Sequence, residues 1–146
     1  MSLIQNKKRY FVLLVIFSTL ALFLGRVDNC KAASRYQTDR QMRKKYGTYY
    51  AVFSMTALKF SDNKVSITGT LLKKDLTITK HKKRTYKLAK TMKEYMYVER
   101  DGSWEYYGKK PRSEFKKNLR NEKRHHFPSV HFWVKNGIIT AYGLSA

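Results

Sequence analysis

Apolar and polar positions divide this chain into three regimes. From residue 10 to residue 25 the sequence YFVLLVIFSTLALFLG is uncharged and nearly all apolar. From 33 to 48 (ASRYQTDRQMRKKYGT) it is polar and basic. From 49 onward, short apolar runs recur with a period near two and are broken by turn residues, which is the pattern of half-buried β-strands.

Within the third regime the elements can be placed. Residues 49–60 (YYAVFSMTALKF) are rich in aromatic and branched side chains, and Ser61-Asp62-Asn63 ends them with turn chemistry. Residues 64–71 alternate cleanly, with Val65, Ile67, Gly69 and Leu71 on one face. Gly69 inside that strand predicts a bulge or a tight bend. Residues 76–79 form a candidate short strand, and 81–84 a basic loop. Two further strands are expected over 85–90 and 94–100, with Trp104 to Tyr107 pairing back across an Asp101-Gly102 turn. Residues 111–124 read as a helix. Ser113 suits its N-cap, Glu114 its first turn, and Phe115 and Leu119 lie one turn apart as a narrow buried stripe. Pro128 then restarts an extended chain. Last, 130–135 and 138–144 flank Asn136-Gly137, the preferred pair of a type I′ hairpin turn. An unbroken register from that turn sets Val134 opposite Ile139 and Phe132 opposite Ala141 on the core side. Trp133 then faces Thr140, and His131 faces Tyr142, on the other side.

This order predicts an all-β or β-rich α+β domain: a small curved antiparallel sheet or an OB-like barrel, with one short helix before the last hairpin. Closure suits it because a closed sheet leaves no exposed strand edge. The expected organisation is a segment 1–32 to be removed, a basic linker or frayed helix over 33–48, and a β-rich domain over 49–146.

The N-terminal regime fits a signal peptide. Lys7, Lys8 and Arg9 precede the apolar run, which counts 16 residues where a spanning helix needs about 20. Cys30 and Ala32 provide small side chains at −3 and −1 for cleavage before Ala33. An uncleaved membrane anchor is the competing reading. Lipidation of Cys30 is disfavoured by Val27, Asp28 and Asn29 just before it. With Cys30 removed, the mature chain has no cysteine and must be held by its core alone. Export without disulfides suits a Gram-positive bacterium, and the expected location is secreted or cell-wall associated.

Charge narrows the partners. The chain carries 31 Lys and Arg against 10 Asp and Glu. The leader holds five of those bases and one acid, leaving the mature chain a net charge of about +17. A charge of that size speaks to solubility and to attraction for polyanions, not to fold. The bases cluster, and the residues expected to bind an anionic polymer are Lys82, Lys83, Arg84, Lys109, Lys110, Arg112, Lys116, Lys117, Lys123 and Arg124. Lysines are point charges on flexible stems and suit repeating phosphates. Interleaved with them are Tyr86, Tyr95, Tyr97, Trp104, Tyr106 and Tyr107. Half of these are expected in the core, and the rest are available to stack on sugars or bases.

Three stretches, KFSDNKVSITGTLLKK, TYKLAK and VKNGIITAY, resemble small basic, tyrosine-rich secreted proteins of lactobacilli and related Gram-positive bacteria with no assigned activity. The likeness spans roughly residues 50–144 and departs at Ile138, where a polar residue commonly follows the hairpin glycine. The resemblance supplies no site residues.

Catalytic chemistry is weakly signalled. His81, His125, His126 and His131 come with no HExxH or CxxC spacing and read as surface and loop histidines, so neither metal nor cofactor is expected. Glu94, Glu99, Glu105, Glu114 and Glu122 are candidate acids, and Glu99 near His131 is the pairing a secreted nuclease would use. The leading expectation is therefore an exported, non-enzymatic protein that associates with anionic wall polymers. Teichoic acid is favoured, nucleic acid is possible, and membrane contact is expected only through the signal segment before cleavage. The alternative is a nuclease-like hydrolase of a phosphate polymer.

Overall fold

Alternation along the sequence becomes alternation of burial in β3 (Lys64–Leu72), where Val65, Ile67, Gly69 and Leu71 are buried and their neighbours are not. The computed structural model describes residues 35–125 and 129–145. The expected signal peptide with Cys30, as well as His126 and Pro128, lies outside the described residues. Around β3 run β1 (Tyr36–Gln37), α1 (Asp39–Tyr46), β2 (Thr48–Phe60), β4 (Lys82–Val98), β5 (Ser103–Pro111), α2 (Arg112–His125), β6 (Val130–Lys135) and β7 (Ile138–Leu144).

Five strands close a barrel. β2 pairs antiparallel with β3 and β6, β3 with β4, and β6 with β7, while a parallel pairing of β4 with β7 completes the circuit. With α2 between the third and fourth barrel strands, this is the OB-like arrangement. Outside the circuit, β5 continues the edge of β4 beyond β3, and β1 adds two residues to β5. Gly69 lies opposite Met55 between two register shifts of β2. A Cβ there would run into the carbonyl oxygen of Ser54, so the close approach of β2 and β3 needs glycine.

Several local expectations change. The strands expected over 85–90 and 94–100 are one 17-residue strand, β4, and its Lys82-Lys83-Arg84 start is paired with β3 rather than looped. The Lys-Thr-Met-Lys stretch does not break β4, because Met92 is fully buried there. Residues 76–79 form no strand beyond a single bridge from Ile78 to Leu72. The helix starts at Arg112, directly after β5, one residue ahead of Ser113. Where a linker or frayed helix was expected, α1 is formed. Thr38 accepts from the Gln41 backbone N–H, the Gln41 side chain accepts from the Thr38 N–H, and Met42 and Tyr46 are buried.

The last hairpin turns on Asn136 (φ 53°) and Gly137 (φ 74°), as a type I′ turn requires. Its register holds only for Val134 opposite Ile139. Thr140 then bulges, so Phe132 meets Tyr142, Trp133 meets Ala141 and His131 meets Gly143. Both faces of β6 are consequently buried, Phe132 inside the barrel and Trp133 outside it.

Two hydrophobic clusters result, both between Met42 and Tyr142 and so within the compact unit Tyr36–Ala146. The first fills the barrel with Val65, Ile67, Leu71, Met92, Phe132, Ile139 and Tyr142, and α2 adds Phe115 and Leu119 to it. The second lies on the outer face. Met42 and Tyr46 of α1 cover Tyr49, Tyr95, Trp104, Trp133 and Ala141 there. Trp104 and Trp133 cross edge to face at 4.9 Å between centroids, a favoured aromatic geometry.

Candidate functional site

Thr140 has no partner in the ladder on either side. β7 pairs Ile139 and then Ala141 with β6, and it pairs the same two residues with Leu88 and Lys93 of β4. Residues 89–92 of β4 therefore leave β7 while Thr140 bulges opposite them. The opening is a groove of about 590 Å³, lined by Ala89, Thr91, Ile138 and Thr140, with Tyr46 at one wall. Four lysines rim it: Lys45 stands in the last turn of α1, Lys93 follows the β4 excursion, Lys109 comes from β5 and Lys135 ends β6. No Asp or Glu is among the described residues that line it. Tyr46 is held in place by a 2.7 Å hydrogen bond to the Tyr95 hydroxyl, and the Lys45 and Lys93 ammonium groups lie 5.3 and 5.8 Å from its ring centroid. Burial, then the Tyr46 bond, pushes the Tyr95 hydroxyl far above its ordinary pKa, so it stays protonated and neutral.

Of the ten basic residues expected to form a site, only Lys109 lines this groove. The others are spread over separate surfaces. Lys82, Lys83 and Arg84 open β4. The Arg84 guanidinium donates to the carbonyls of Gly69, Lys80 and Lys82 and is thereby committed to holding the β3–β4 connection. Lys110 points toward Glu94 at 4.0 Å. Arg112, Lys116, Lys117, Lys123 and Arg124 follow along α2, where Lys116 donates to the carbonyls of Ser61 and Asp62 at 2.8 Å and ties the helix to the β2–β3 turn. Arg120 lies over the Phe60 ring at 4.6 Å beside Lys123 and Arg124. Lys45 closes the basic run Arg43-Lys44-Lys45, but Lys93 and Lys135 stand apart from any run, and the three belong to different elements, so local clustering does not join them.

The histidine and carboxylate candidates separate. His131 is half-buried rather than a surface histidine. Its Nδ1 is 2.7 Å from the Tyr49 hydroxyl, its Nε2 is 2.9 Å from Ser145 Oγ, and its ring lies against Trp104. Burial, aided by the Lys74 charge and opposed by Asp39, holds its pKa down to about 4. Glu99 is exposed in the β4–β5 turn. Glu122 is buried and accepts from the Ser129 N–H and hydroxyl, joining α2 to the start of β6. Burial raises its pKa against those hydrogen bonds. Glu94 accepts from the buried Tyr142 hydroxyl. Of the six aromatics, Tyr86, Tyr95 and Trp104 are in the cores and Tyr107 is exposed. Among the described residues no three His, Cys, Asp or Glu side chains converge where they could hold a metal ion.

Comparison with known protein families, with curated proteins and with solved structures finds no match for this chain.

Proposed function

We propose that this is an exported basic protein that associates with the anionic phosphate polymers of a Gram-positive cell wall, teichoic acid foremost, and that the lysine groove between β4 and β7 is its principal contact. The observation that carries this reading is the ring of Lys45, Lys93, Lys109 and Lys135 about one opening with no carboxylate in its lining. Four like charges around a groove repel one another, and a polyanion relieves that repulsion while shedding its own counterions. The groove walls are partly apolar, through Tyr46, Ala89 and Ile138, and give the sugar or glycerol backbone of such a polymer a surface to lie on. Export is supported by the order of basic, apolar and small residues in the first 32 positions. The bases of α2 and of the start of β4 add long-range attraction from other surfaces of the molecule.

Binding of residues 33–146 to purified wall tests this reading. Retention is expected on wall that carries teichoic acid and release as salt rises, because screening and counterion displacement both weaken the contact. Equal retention on wall stripped of teichoic acid would sink it.

A further inference from the structure

The β3–β4 connection presents two aliphatic side chains to solvent. Leu76 is 77% exposed and Ile78 49%. This is not a loose loop. Lys73 N–H donates to the Thr77 carbonyl at 2.9 Å and Leu76 N–H to the Lys73 carbonyl at 3.0 Å. Thr77 N–H bonds the Asp75 carboxylate, Thr79 N–H bonds the Leu71 carbonyl at 2.8 Å, and Arg84 clamps the base as described. Within that frame Leu76 sits at φ 64°, a left-handed conformation that any residue with a Cβ adopts at a cost. Glycine would be at ease there. The fold thus carries both strain and an exposed apolar side chain at the tip.

Cations surround the tip. Lys73, Lys80, Lys82 and Lys83 are exposed, Lys74 is paired with Asp39, and the one acid of the loop, Asp75, turns its carboxylate to the Thr77 N–H. Phosphate polymers in water attract the lysines, but a single hydrated chain, which can lie along the wall of a groove, does not enclose two aliphatic side chains that project from a loop tip. A bilayer of anionic lipid satisfies both sets. Aliphatic chains gain by leaving water at the headgroup boundary, and lysine stems reach back to the phosphates. We propose that this loop docks the mature protein on an anionic lipid bilayer, with Leu76 and Ile78 entering the headgroup boundary and Lys73, Lys80, Lys82 and Lys83 meeting lipid phosphates. This site is separate from the lysine groove and does not depend on the wall reading.

The test uses residues 33–146, which contain both core clusters, with vesicles of phosphatidylcholine alone and of equal parts phosphatidylcholine and phosphatidylglycerol. Sedimentation should show binding to the mixed vesicles only. Leu76→Gly keeps every charge and relieves the backbone, so its melting temperature should hold or rise while its vesicle affinity falls roughly tenfold. Ile78→Ser should weaken binding in the same direction. Trp104 and Trp133 are fully buried, so a Leu76→Trp reporter should add an emission that shifts to the blue with mixed vesicles alone. Parent-like vesicle binding by Leu76→Gly would overturn the proposal, since adsorption would then be charge alone. So would the absence of any preference for phosphatidylglycerol. An equal loss of binding by Leu76→Gly to a soluble glycerol phosphate polymer would make the loop a polymer contact instead.

Discussion

His131 shows how far its surroundings alter a single side chain. Free in water its imidazole titrates near 6.5; between Tyr49, Ser145 and Trp104 it stays neutral down to about pH 4. The unfolded chain therefore binds the extra proton first. Between pH 6.5 and 4 the unfolded state holds more protons, so the contribution of His131 is complete above 6.5 and lost as pH falls toward 4. The shift corresponds to at most about 3–4 kcal/mol. Urea melts at pH 7 and pH 5 should show the parent losing stability, with a smaller loss in His131→Phe; parallel losses in both would refute the assignment. Gly143 is the second sensitive residue. A Cβ there would penetrate the ring of the fully buried Trp104. Gly143→Ala should destabilise by about 1–3 kcal/mol through overpacking, read as a lower denaturant midpoint.

At the scale of elements, α1 and the turns decide local stability. α1 has only eight residues, too short to persist alone, and is held by its capping box and by the docking of Met42 and Tyr46. Thr38→Ala should cost about 1 kcal/mol. Because α1 roofs the outer aromatic cluster, the variant should also quicken hydrogen exchange in 39–46 ahead of the barrel strands; uniform exchange across the chain would show that α1 does not open separately. The turn glycines are less different than their flanking sequences imply. Clean alternation around Asn136-Gly137 suggests a tighter turn than Asp101-Gly102, yet Gly137 and Gly102 sit at φ 74° and 67°. Neither has a close neighbour where a Cβ would go, the nearest being the Tyr97 hydroxyl, which would lie 3.6 Å from a Cβ at Gly102. Gly137→Val and Gly102→Val should therefore cost similar amounts, about 1–2 kcal/mol each, and denaturant melts of the pair would expose any asymmetry.

For the whole molecule the governing quantity is charge. A folded domain of about +17 gathers repulsion that its unfolded chain spreads out, so salt should raise its melting temperature until screening is complete. The groove concentrates this effect. Replacing Lys45, Lys93, Lys109 and Lys135 together with Gln should raise stability at low salt and reduce retention on teichoic-acid-bearing wall. Replacing Lys117, Lys123, Arg124 and Arg112 with Gln removes the same charge from a different surface and should reduce retention less. Equal losses in the two quadruple variants would mean that net charge, not the groove, governs binding. An anionic polymer that binds only the folded state should raise the melting temperature with the logarithm of its concentration once that exceeds Kd, which a calorimetric titration would follow.

What the sequence determined by itself was whatever depends on near neighbours. The alternation of Val65, Ile67 and Leu71, the stripe of Phe115 and Leu119, and the positive φ of Asn136 and Gly137 follow from side-chain period and turn chemistry over a few residues. Together with the order of elements they were enough for a β-rich, OB-like barrel. Tertiary structure decided what depends on strand partners far along the chain. β4 runs unbroken because β3 and β5 take its edge in succession and Met92 fills the core. Met42 and Tyr46, too few to hold the frayed helix expected there, have an apolar face to bury only once Trp104 and Trp133 are brought to it. The bulge at Thr140 shifts the hairpin register because two ladders must be satisfied around one closed barrel, and the same bulge opens the groove. The groove lysines are distant in sequence and adjacent only through that closure, so no reading of basic runs could assemble them.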